Sequence, residues 1–83
     1  KNYDECIKKY LKVLQFGNPK AFVYARLATC YFRKFDKKKA LDYMIVTNYI
    51  SAHENGEFDF TELINKLKEE INEGNKKTSK TVF

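Results

Sequence analysis

Residues 21–54 read AFVYARLATCYFRKFDKKKALDYMIVTNYISAHE, and the fold turns on how that stretch is heard. Tyr24, Leu27, Ala28 and Tyr31 recur at intervals of three and four, the spacing that gathers side chains on one face of an α-helix. Val23, Cys30, Phe32 and Phe35 widen that stripe, so this helix is apolar on more than one side and should be the most buried. The basic run Arg33-Lys34, broken by Phe35-Asp36, then Lys37-Lys38-Lys39, interrupts the pattern. Asp36 can cap a second helix, in which Ala40, Leu41, Met44 and Asn48 share a face and Ile45, Val46, Tyr49 and Ile50 broaden it. Asn55-Gly56 then breaks the chain.

The same reading extends outward in both directions. Upstream, Asn2 with Glu5 three residues on has the spacing of a capping box, and Ile7, Tyr10, Leu11 and Leu14 form a stripe that Gly17 should stop near Phe16. Asn18 as cap and Pro19 in the first turn should open the next helix, because proline there lacks only an N–H that has no helical partner. Downstream, Asp59 with Glu62 predicts another capped start, Phe60, Leu63, Ile64, Leu67 and Ile71 form the stripe, and Lys66, Lys68, Glu69, Glu70 and Glu73 form a charged outer face. Gly74 should end that helix and leave 74–83 as a flexible basic tail. The expectation is an all-α fold: antiparallel helical hairpins, about four helices, joined by short loops.

At 83 residues the chain is one domain at most, and 43% hydrophobic with 16% aromatic residues is enough to build a core. Two cysteines and one histidine make neither a disulfide framework nor a usual zinc set. Cys6 and Cys30 fall in apolar helical stretches and read as small buried hydrophobes, with a single bridge as the other reading; a reducing, cytoplasmic setting is favoured and location is otherwise open. No run of about 18 apolar residues exists to span a membrane. His53 has no Ser or Cys beside it and there is no glycine-rich phosphate loop, so neither catalysis nor a cofactor is expected. The formal charge of +5 concentrates at Arg33, Lys34, Lys37, Lys38 and Lys39, and again at Lys76, Lys77 and Lys80. Clustered lysine usually keeps a small domain soluble. Nucleic-acid binding through the basic tip is the rival expectation, since such a cluster could neutralise several phosphates.

The 34 residues quoted first resemble the tetratricopeptide repeat, whose pattern is W-x₂-L-G-x₂-Y, then A-x₃-F, then A, then P. Tyr24, Leu27, Ala28 and Tyr31 stand at the slots of its first helix, Ala40 and Met44 at those of its second, while Thr47 and Ala52 replace the late alanine and proline. Residues 2–18 resemble the second helix of a preceding repeat, with Cys6 at the small slot and Tyr10 at the large one. Residues 58–73 resemble a capping helix, with Ile64 in place of the small residue. The resemblance covers roughly residues 2–71 and implies half a repeat, one whole repeat and a cap. It also implies a longer parent protein and a first helix whose uncovered face invites self-association.

In that family the first helices of successive repeats line a concave groove for a peptide or partner helix. The resemblance therefore implies a scaffold or adaptor that binds protein through Phe22, Ala25, Arg26, Thr29, Phe32 and Arg33, joined by Thr61, Glu62, Asn65 and Glu69 from the last helix. Arg26 stands where chaperone-binding members carry an arginine of their carboxylate clamp, and Phe22 stands where those members carry a lysine.

Overall fold

Asn2 begins the first helix: its side-chain oxygen accepts the Glu5 N–H at 3.2 Å, the local bond that its spacing predicts. The computed structural model describes residues 2–17 and 20–82, for 74–82 the backbone course only. Four helices follow one another: α1 (Tyr3–Leu14), α2 (Ala21–Arg33), α3 (Lys37–His53) and α4 (Thr61–Val82). The architecture is all-α, as the stripes require.

Neighbouring helices run antiparallel, and side-chain bridges between their opposite ends fix the directions. Lys34, after the end of α2, pairs with Asp4 in the first turn of α1. Glu54, after the end of α3, accepts the Ala21 N–H at the start of α2 at 3.2 Å. Lys37, at the start of α3, pairs with Glu70, well along α4, while Asn48 near the far end of α3 holds the start of α4. Each helix packs on its neighbours in the chain, giving the order α1–α2–α3–α4.

The core lies where α2 and α3 close on each other. Ala28 and Ala40 are both fully buried and share one apolar cluster with Leu27, Tyr31 and Met44, which α1 extends with Ile7 and α4 with Ile64 and Leu67. Small side chains at Ala28 and Ala40 let the helices approach, and burying a side chain such as Leu27 contributes about 1.5–3 kcal/mol. Along α3 the inward line is Ala40, Met44, Thr47 and Ser51, while Leu41 and Asn48 are only half-buried. The expected face is thus rotated slightly. Two polar residues tolerate the core because their hydroxyls are bonded at once: Thr47 donates to the Tyr43 carbonyl at 2.7 Å, and the Ser51 hydroxyl accepts the Phe58 N–H at 2.9 Å.

Four sequence expectations are corrected. First, α2 opens at Ala21 with Lys20 at the cap position, and Asn18 and Pro19 lie outside the described residues. A lysine side chain cannot accept a hydrogen bond, so the Glu54 carboxylate serves from across the hairpin, where the positive end of the helix dipole also favours it. Second, the first residue of α4 is Thr61, not Phe60, while Asp59 caps it as expected by accepting both the Thr61 N–H (3.0 Å) and the Thr61 hydroxyl (2.5 Å). Third, α4 does not stop at Gly74 to leave a flexible tail but runs on to Val82. One helical glycine costs only about 1 kcal/mol relative to alanine, and lysines near a helix C-terminus are favoured by the dipole. Fourth, Cys6 and Cys30 are not free hydrophobes: they form a disulfide, with Cα atoms 6.5 Å apart, that ties α1 to α2. Disulfides persist in oxidising surroundings, so the reducing setting expected from two free thiols loses its ground.

Candidate functional site

The outward face of α2 carries most of the residues expected to bind a partner. Phe22, Arg26, Thr29 and Arg33 recur at i, i+4, i+7 and i+11, which sets them in one narrow stripe, and all are exposed. Phe22 is 49% exposed, large for an aromatic ring. Thr29 keeps its hydroxyl on the Ala25 carbonyl at 2.9 Å, turned back along its own helix. Arg26 enters no ion pair among the described residues. Ala25 does not belong to the stripe: at 6% exposure it is buried, in the helical sector it shares with Ala21 and Ala28, so it cannot line a groove.

On α4, Thr61, Glu62, Asn65 and Glu69 are exposed as expected. Among the described residues, however, α4 lies along α3, and the backbones of α2 and α4 are not neighbours. They come together instead at a pocket of about 160 Å³ lined by Phe32, Phe35, Lys37, Leu63, Lys66, Leu67 and Glu70. Of the residues expected in the groove only Phe32 lines it. Asn65 and Glu69 do not line it.

The chain conformation at the mouth of this pocket is unusual. The Phe35 N–H bonds the Phe32 carbonyl (3.1 Å) and the Asp36 N–H bonds the Tyr31 carbonyl (2.9 Å), the paired closure that ends a helix with one left-handed residue. That residue is Phe35, at φ +68°, the one non-glycine residue with positive φ among those described. Glycine is usual at such a position, and an L side chain there costs roughly 1–2 kcal/mol. At the end of α3, by contrast, the positive φ of +69° falls on Gly56. The Phe35 ring is 86% exposed.

The basic residues beside the pocket are all exposed, but their charges are put to different uses. Lys34 bonds Asp4 at 2.5 Å, and that hydrogen bond and charge hold its pKa above the usual lysine value. Lys37 bonds Glu70 at 2.9 Å and, with the charges of Lys37 and Lys66, holds the Glu70 carboxyl below the usual range. Lys39 lies 5.9 Å above the Tyr31 ring, within cation–π range. Arg33 and Lys38 enter no ion pair among the described residues. The patch is therefore part tether, part free charge.

Elsewhere, Tyr43 lies between Tyr24 (6.2 Å) and Tyr31 (5.5 Å) in a stack joining α2 to α3, and burial, then the neighbouring phenols, push its pKa up. The His53 and Tyr49 rings meet at a tilt with centroids 4.7 Å apart, and His53 Nδ1 lies 2.9 Å from the Tyr49 carbonyl. Among the described residues no group of three His, Cys, Asp or Glu side chains is placed to hold a metal ion, and no helix is long and apolar enough to cross a membrane.

The sequence reading missed Leu63, Leu67, Lys66 and Glu70 as partners of Phe32, because their meeting depends on how α4 docks. Phe35 did leave a local signal, an aromatic where a helix about to reverse would use glycine. No family model, curated protein or solved structure matches the chain.

Proposed function

We propose that this chain is a non-catalytic protein–protein interaction module, a tetratricopeptide-like scaffold or adaptor segment that binds a peptide or partner helix along α2. One observation carries the reading: Phe22, Arg26, Thr29 and Arg33 form an exposed stripe with an aromatic ring and two guanidinium groups on a helix whose remaining residues are mostly buried. Aromatic and arginine side chains supply most binding hot spots, and Arg26, outside any ion pair among the described residues, can hold a carboxylate by two parallel hydrogen bonds. The nucleic-acid alternative is weakened by Asp4 and Glu70, which already engage Lys34 and Lys37.

The test is to select binding peptides on the immobilised chain from a random library and measure their affinity by calorimetry. Phe22→Ala and Arg26→Ala should each weaken the selected peptides roughly tenfold, the effect of losing a single hot spot. Selected peptides that bind both variants as tightly as the parent would remove the α2 face as the binding surface.

A further inference from the structure

The pocket between α2 and α4 combines three features that nothing in the fold requires together. Its walls are apolar on both sides: Phe32 and Phe35 from the end of α2, Leu63 and Leu67 from α4. Its volume, about 160 Å³, is close to that of cavities of about 150 Å³ known to hold a single benzene ring. Its surroundings are basic: Lys37 and Lys66 line it and Arg33, Lys34, Lys38 and Lys39 lie close by in the chain, with Lys34 engaged by Asp4 and Lys37 by Glu70. Asp36 is occupied as well, accepting the Lys39 N–H at 3.2 Å as the cap of α3.

Phe35 adds an independent observation. A left-handed residue is needed to turn from α2 into α3, and glycine would provide it without strain. The chain holds a phenylalanine there instead, with its ring exposed at the pocket. Strain kept where the backbone does not need it points to a use for the side chain.

We propose that this pocket receives an aromatic side chain of an acidic peptide segment, with Phe32, Phe35, Leu63 and Leu67 lining the slot for the ring while Lys66 at its edge, and the positive charge of the nearby α3 start, attract the flanking carboxylates. The inference rests on the interaction-module reading and gives it a partner chemistry and a second contact point, apart from the α2 stripe. Lys37 is already bonded to Glu70, so its contribution is to keep the rim in place. The mixture of an apolar slot and a cationic rim favours a peptide with one bulky anchor over a uniformly charged polymer.

The experiment uses the whole chain and three fluorescent probes in anisotropy titrations at moderate salt: an Asp/Glu-rich peptide with one central phenylalanine, the same peptide with alanine there, and a single-stranded oligoribonucleotide. The phenylalanine peptide should bind roughly tenfold more tightly than the alanine peptide, the size of effect expected for one aromatic anchor. Phe35→Gly and Lys66→Glu, on separate elements, should each remove that preference, with helical circular dichroism unchanged. Equal binding of the two peptides, or binding of neither, would overturn the proposal. So would RNA binding that displaces the peptide and survives Phe35→Gly. If peptides selected on the α2 face still lose affinity on Phe22→Ala while the acidic anchor fails to bind, the pocket inference alone falls and the module reading stands.

Discussion

The two flanks of the α2–α3 hairpin are held by different means. On one side α1 is fastened to α2 by the covalent Cys6–Cys30 bridge, with Lys34–Asp4 beside it. On the other side α4 is fastened to α3 by side-chain hydrogen bonds: the Asn48 amide oxygen accepts the Phe60 N–H at 2.8 Å, Ser51 accepts the Phe58 N–H, and Lys37–Glu70 closes the far end. A covalent staple fixes one geometry. A set of hydrogen bonds leaves room for adjustment, and the pocket lies on that second flank.

The largest effect should come from breaking the staple. Cys6 and Cys30 are 24 residues apart, and closing a loop of that size in the unfolded chain is worth about 3.5 kcal/mol in the chain-entropy picture. Denaturant titration of Cys30→Ser, or of the parent chain with reductant, should show a loss of that order; an unchanged midpoint would mean that the staple does not set the stability of this flank. Next, Asn48→Ala removes the acceptor of the part-buried Phe60 N–H on the opposite flank and should cost about 1–2 kcal/mol. Its measurement is the same titration, with the expectation that the disulfide-linked pair α1–α2 keeps its slow amide exchange while the start of α4 loses protection.

A smaller change should run the other way. Phe35→Gly relieves the left-handed phenylalanine and should raise stability by about 0.5–1 kcal/mol, after allowing for the greater freedom of glycine when unfolded. A destabilised variant would show that the exposed ring contributes to the fold itself. The smallest effects separate the two ion pairs by pH. The Glu70 carboxyl has a lowered pKa, so its contribution is present above the ordinary glutamate range and is lost as pH falls through its folded value. The Lys34 ammonium has a raised pKa, so its contribution is present below the ordinary lysine value and is lost as pH rises through its folded value. Thermal melts of Glu70→Gln should therefore converge on the parent at acid pH, and those of Lys34→Gln at strongly alkaline pH. A Glu70→Gln gap that persists at acid pH, or a Lys34→Gln gap that persists at strongly alkaline pH, would show that the substitution acts through something other than the lost charge pair.

Local chemistry was legible in the sequence and contacts between distant parts of the chain were not. The stripes through Leu27, Tyr31 and Met44 and the caps at Asn2 and Asp36 are short-range properties, readable from spacing alone, and the helices lie where they point. Gly74 misled because a glycine stop is a preference of about 1 kcal/mol, which the rest of a helix can override. The Cys6–Cys30 bond, the Glu54 cap and the pocket each join residues from separate helices or their ends. No periodicity along one segment encodes such a meeting. Ala25 failed as a groove residue because its neighbours in the helix, Ala21 and Ala28, already turn that sector inward.

The carboxylate that Glu54 lends to the start of α2 has one further consequence. The first turn of that helix is completed by a residue that arrives only after the whole of α3 has been laid down, so the hairpin cannot finish its beginning before its end. Fraying at one terminus should then be felt at the other, and in a chain cut short before residue 54 the Ala21 amide would lose its acceptor and exchange more readily with solvent.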